Sequence, residues 1–154
     1  MKTPFLSIAV IALSAISLFS CKKDDKTTAE SSGPTLKTFA LKLDGTAYQT
    51  EFYSTQQTAG MIIFQTNINN NLIFGLNLAD TIQAGTYPMG PGMSRLVHSD
   101  DNYATSYLSD PGTLTVTIHD TVNNKITGTF SCTLTRTSPA ATKSVTNGEF
   151  NIQY

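Results

Sequence analysis

The sequence has no tryptophan, only two cysteines and only two histidines, and 14% of it is charged. Each shortage closes a route. Two histidines, His98 and His119, and no Gly-x-Ser-x-Gly elbow leave little for a serine-type hydrolase, which needs a nucleophile, a base and an orienting acid. No phosphate loop or dinucleotide fingerprint occurs. The formal net charge of −1 is too balanced for electrostatic capture of nucleic acid, which needs clustered Lys and Arg. No long apolar run is present either. The longest, Phe5–Phe19, has 15 residues and contains Ser7, Ser14 and Ser17. A spanning helix needs roughly 20 apolar residues to cross about 30 Å of hydrocarbon.

What is there starts with that run. Lys2 precedes it, and its length fits the apolar core of a secretory signal. It ends in Leu18-Phe19-Ser20-Cys21, with an aliphatic residue at −3, a small one at −1 and cysteine at +1. This resembles the lipobox cut by lipoprotein signal peptidase; Phe19, bulkier than usual at −2, is the one departure. The resemblance implies a signal peptide over residues 1–20 and a mature chain that begins with acylated Cys21. Each buried CH₂ contributes about 0.8 kcal/mol, so two or three acyl chains hold stably where one would not. The partner implied is therefore the membrane, through the lipid at Cys21. Lys22-Lys23-Asp24-Asp25-Lys26 follows, and its acidic pair resembles the export signal of Bacteroidota-type surface lipoproteins. That implies the outer membrane and its cell-surface face, with the periplasmic face as the other destination.

If Cys21 is acylated, Cys132 is alone. No intrachain disulfide can form, the usual multi-cysteine zinc site is excluded, and the fold must rest on its apolar core. Removing residues 1–20 takes Lys2 away, leaving nine basic against eleven acidic residues. Residues 21–35 carry no large apolar side chain after Cys21, so they cannot bury enough surface to order themselves and read as a flexible tether. Residues 36–154 are long enough for one domain with a sufficient core.

That domain alternates with period two. Leu114, Val116 and Ile118 alternate with threonines, and so do Ile126, Gly128, Phe130, Cys132 and Leu134. Threonine on the wet face and apolar residues on the other mark half-buried antiparallel strands. Phe39, Leu41 and Leu43 lead into Asp44-Gly45, a two-residue hairpin signal, with Tyr48 and Phe52 on the return strand. Met61–Ile68 and Leu72–Leu78 form another pair around three asparagines, with Ile62, Phe64, Leu72, Phe74, Leu76 and Leu78 as core candidates. Val145, Phe150, Ile152 and Tyr154 close the chain. No helical period is found. About eight short strands predict an all-β domain, either an antiparallel β-sandwich or a compact β-barrel.

The opening Phe39–Gly45, the central Ala84-Gly85-Thr86-Tyr87, the late Gly112–Asp120, and then Lys125–Ser131 and Val145–Phe150 together resemble the small β-rich domains of unknown function in Bacteroidota lipoproteins. These motifs are turns and alternating strands, so the resemblance implies a fold and a location, and no chemistry.

Residue by residue, catalysis finds little support. Asp44, Asp80, Asp110 and Asp120 fall at turns, where aspartate is favoured for backbone reasons. His119-Asp120 reads as a solvated pair at a hairpin end, and Cys132 as an inert core thiol. Asp100-Asp101-Asn102 matches no calcium loop. No metal or cofactor is expected, and no enzyme. The segment from Pro88 to Gly112 collects interface-type side chains among prolines and glycines: Arg95, His98, Asp100, Asp101, Tyr103 and Tyr107. It reads as a binding surface on an irregular crossover, with Tyr103–Leu108 also able to form a strand. Asp80-Thr81-Ile82 and Asp120-Thr121-Val122 resemble Asp-Thr-aliphatic O-glycosylation sites, which implies Thr81 and Thr121 as acceptors. Two functions stand: a non-catalytic surface module that binds an unidentified ligand or protein, and a lipocalin-like carrier of a small ligand in a barrel cavity; a hydrolase is the remaining alternative, behind both.

Overall fold

The computed structural model describes residues 38–68, 71–92, 94–100 and 105–154. Cys21, the signal, the tether, Asp101 and Tyr103 lie outside the described residues. All described secondary structure is β, in ten strands: β1 Phe39–Leu43, β2 Thr46–Thr50, β3 Ser54–Thr58, β4 Met61–Ile68, β5 Leu72–Ala79, β6 Gly85–Met89, β7 Ser94–Asp100, β8 Thr105–Asp120, β9 Lys125–Thr137 and β10 Ala140–Gln153.

The strands form one antiparallel sheet in the order β2-β1-β10-β9-β8-β7-β5-β4-β3, with β6 paired to β8 beside β7. The sheet curls strongly into a half-barrel. This corrects the expected architecture: it is neither a sandwich nor a closed barrel of about eight strands. The reason lies in two interrupted strands. Successive neighbours are antiparallel, so β2 and β3 at the two ends of the path run in the same direction, and only Glu51, Phe52 and Tyr53 join them. The chain pairs with β1, breaks, and resumes on β4 at the opposite edge. Likewise β6 and β7 share β8, against Thr113 and its neighbours and against Tyr107 and its neighbours respectively.

The period-two reading places the core correctly over most of the sheet. Phe39, Ile62, Phe64, Phe74, Leu76, Leu78, Leu114, Ile126, Leu134 and Ile152 are buried. Phe39 packs its ring on Phe64 and Phe130, centroids 4.9 and 5.6 Å apart, so β1 is tied to β4 and β9 across the curl. Asp44 and Gly45 both take positive φ, 49° and 84°, as a two-residue hairpin turn requires. Two glycines make room for rings on the neighbouring strand: a Cβ on Gly128 would lie 2.6 Å from Phe150 Cζ, and one on Gly148 2.5 Å from Phe130. These are reciprocal cross-strand pairs, Gly128 opposite Phe150 and Gly148 opposite Phe130.

Departures follow from bulges. A register shift between Val116 and Ile118 inverts the alternation, so Ile118 is 55% exposed and His119 turns inward. A second shift between Val145 and Gly148 lets odd Val145 and even Phe150 share the core. Phe52, expected on the return strand, instead sits in the β2–β3 break and is 85% exposed.

Candidate functional site

The Pro88–Gly112 segment is mostly strand. Alternation then divides its side chains between two faces. Leu96 and His98 on β7 share the core face, as does Tyr107 on β8, directly opposite His98. Arg95 belongs to the outer face, opposite Asn77. His98 is fully buried and Tyr107 nearly so, so neither can form part of an exposed surface; this corrects the expectation that they present themselves to a partner. The structure brings together His98, Asp100 and Tyr107 and leaves Arg95 on the other side.

Around those three the fold adds two cations. Lys143 on β10 pairs with Leu134, and Arg136 lies two residues beyond Leu134 on β9, so both share the core face at one end of the curl. The Arg136 guanidinium lies 4.9 Å from the centroid of the Tyr107 ring and Lys143 Nζ 5.1 Å from it. Lys143 Nζ also pairs with Asp100 Oδ2 at 3.1 Å. Beneath them Phe74, His98 and Tyr107 stack, with centroid separations of 4.6 and 5.7 Å. The result is a charged rim on an aromatic floor at the mouth of the half-barrel, the position where barrel folds commonly hold ligands.

His98 faces an acceptor at each ring nitrogen. Its Nδ1 lies 3.2 Å from the Ile73 carbonyl, which can only accept. Nε2 lies 2.7 Å from Asp100 Oδ1, a second acceptor. A neutral ring has one N–H and cannot serve two acceptors. Burial pushes the His98 pKa below the ordinary histidine value, and the Asp100 carboxylate and the Ile73 carbonyl oppose that only in part.

The second histidine is also better placed than a solvated hairpin-end residue. His119 Nδ1 lies 2.6 Å from the Ile82 carbonyl, and Nε2 2.7 Å from the Tyr154 hydroxyl. In the neutral ring Nδ1–H donates to the carbonyl and the tyrosine hydroxyl donates to Nε2. Desolvation, then Asp80 and Asp120, raise the Tyr154 pKa. Both ring nitrogens are engaged, so the pair ties the last residue to the β5–β6 connection. Asp120 has the turn role expected of it: Oδ1 accepts from the Val122 and Asn123 amides, each at 3.0 Å, and bonds from Asn123 hold its pKa down.

Cys132 is a buried free thiol whose pKa desolvation pushes up to about 12. Thr81 and Thr121 are exposed in turns. No three His, Cys, Asp or Glu side chains converge on a metal position among the described residues, and no described helix is long and apolar enough to cross a membrane. Grooves of about 310 to 430 Å³ are open to solvent.

Sequence reasoning missed Arg136 and Lys143. The alternation that runs through Leu134 and Val145 already assigns both to the core face; only their charge hid them. That they meet Asp100 across the mouth is decided by the curl.

A family model described as Domain of unknown function (DUF6252) matches residues 35–152. No curated protein and no solved structure matches the chain.

Proposed function

The chain belongs to this family of domains of unknown function, and from that premise we propose that it is a lipid-anchored, non-catalytic binding module. In this reading Cys21 carries the acyl chains, residues 22–35 form the tether, and the domain stands on the outer face of the outer membrane. The mouth of the half-barrel is its working surface.

One observation carries the reading: Arg136 and Lys143 lie over the ring of Tyr107, with Asp100 paired to Lys143, where the strands end. The two cations are held against the buried Tyr107 ring, Lys143 beside a carboxylate, and the charged groups themselves stay part-exposed, where a ligand can reach them. Arg and Tyr are the side chains that dominate recognition energetics. The carrier reading has less support, because Phe39, Phe64, Phe74, Leu76, Leu96 and Leu134 fill the inside of the curl at 0% exposure. The non-catalytic reading rests on the tied state of the polar groups: both ring nitrogens of His119 are engaged, and the Cys132 thiol is far from ionising at neutral pH.

The test has two parts in cells expressing the full chain. Cys21→Ala should move the protein from the membrane fraction to the soluble fraction. With Cys21 intact, the Arg136→Ala/Lys143→Ala double variant should reach the surface at wild-type level, shown by protease shaving, and lose crosslinking to the partners that wild type captures. Unchanged capture would remove the mouth from the function; membrane retention of Cys21→Ala would remove the lipid anchor.

A further inference from the structure

The β2–β3 break creates a second surface feature, on the face opposite the mouth. Ser54 pairs with Gln65, so alternation places Ser54, Gln65 and Asn67 on the outer face and Tyr53, Phe64 and Thr66 on the inner one. Continuing the register past Ser54 sets Phe52 opposite Asn67, also outward. Burial agrees: Phe52 is 85% exposed and Thr66 is 3% exposed, while the Tyr53 ring packs on Phe64 at 5.4 Å. Phe52, Tyr53, Ser54, Gln65, Thr66 and Asn67 line a groove of about 430 Å³, within the range of roughly 300–1,000 Å³ typical of small-ligand sites.

Scattered exposed apolar residues need no explanation. Phe52 differs in being held in place. Its amide donates to Thr50 Oγ1 at 3.0 Å, and its carbonyl accepts from Thr50 Oγ1 at 3.2 Å and from Thr66 Oγ1 at 2.5 Å. Three hydrogen bonds fix the backbone under a ring that points into water. A platform set in advance spares a ligand the cost of ordering it.

The lining is also wholly uncharged. A phosphate, carboxylate or ammonium group would find no counter-charge there to replace its water. An aromatic face beside a hydroxyl and the Asn67 carboxamide suits a different chemistry. A sugar ring has one face of C–H bonds, which packs on the π-cloud, and a rim of hydroxyls, which both donate and accept as the carboxamide does. We propose that this groove is a binding site for a neutral saccharide, with Phe52 as the stacking platform and Ser54 and Asn67 meeting the hydroxyls.

The test applies full-length protein, in a detergent without a sugar headgroup, to a printed array of neutral and acidic oligosaccharides. Wild type should retain neutral glycans. Phe52→Ala should weaken that retention about tenfold or more, a change equivalent to 1.4 kcal/mol, with an unchanged melting temperature. Phe52→Trp should keep it, and so should the Arg136→Ala/Lys143→Ala variant, whose residues lie on the other face. Any of four results would overturn the proposal: no neutral glycan retained by wild type, retention confined to acidic glycans, equal retention by Phe52→Ala, or loss through the mouth variant alone.

Discussion

Replacing Gly128 by alanine tests how the core is packed. The added Cβ would lie 2.2 Å from the Thr115 carbonyl oxygen and 2.6 and 2.8 Å from two carbons of the Phe150 ring. Ordinary carbon–oxygen contacts need about 1 Å more than that. The ring could move only into neighbours that already fill the core, and the Thr115 carbonyl belongs to the β8–β9 ladder, where Thr115 pairs with Thr129. Overpacking of this kind costs about 1–3 kcal/mol, occasionally more, and a backbone oxygen in the way puts Gly128→Ala near 3. For a domain of this size that is a fall of about 10 °C in melting temperature. Gly75→Ala is the control. Its Cβ would meet nothing closer than 3.6 Å, and alanine in a strand is favoured over glycine by roughly 0.5–1 kcal/mol, so it should be neutral or slightly stabilising. Urea titration followed by far-UV circular dichroism measures both, since the chain has no tryptophan to report by fluorescence. Gly128→Ala as stable as wild type, or Gly75→Ala equally damaged, would refute the reasoning.

Two further outcomes follow from titratable groups. The lowered pKa of His98 means that the unfolded chain binds a proton more readily than the folded one below the ordinary value of 6.5. Its stabilising contribution is complete above that pH and is lost as pH falls toward the folded pKa; urea midpoints should drop from pH 7.5 to 5, and His98→Gln should flatten the drop, whereas an equal drop in the variant would assign it elsewhere. Cys132, with its pKa pushed up to about 12, should resist iodoacetamide at pH 8 while folded and react at the rate of a free thiol in urea, read by mass spectrometry; rapid labelling of folded protein would contradict its burial.

The alternation of Ile126 through Leu134 and the Asp44-Gly45 turn were legible because both are local: side-chain parity and positive φ depend on a few neighbours. Ile118 and His119 were misassigned because one bulge inverts every later position, and a bulge leaves no residue-type signature there. Strands β3, β6 and β7 were hidden for another reason. β3 is polar throughout, and β6 and β7 surround prolines and glycines that read as loop.

Sequence alone determined the all-β class and the positions of most buried residues, because period-two patterning is a property of short segments. Tertiary structure decided the rest. Whether the sheet closes depends on where β2 breaks and which edge β3 joins, a pairing between Ser54 and Gln65 that no local pattern encodes. The same curl carries His98 and Tyr107 from an expected surface into the core, sets Arg136 and Lys143 beside Asp100, and leaves Phe52 in water. Long-range pairing, not composition, placed the groups at the mouth and in the β2–β3 groove for which a role is proposed.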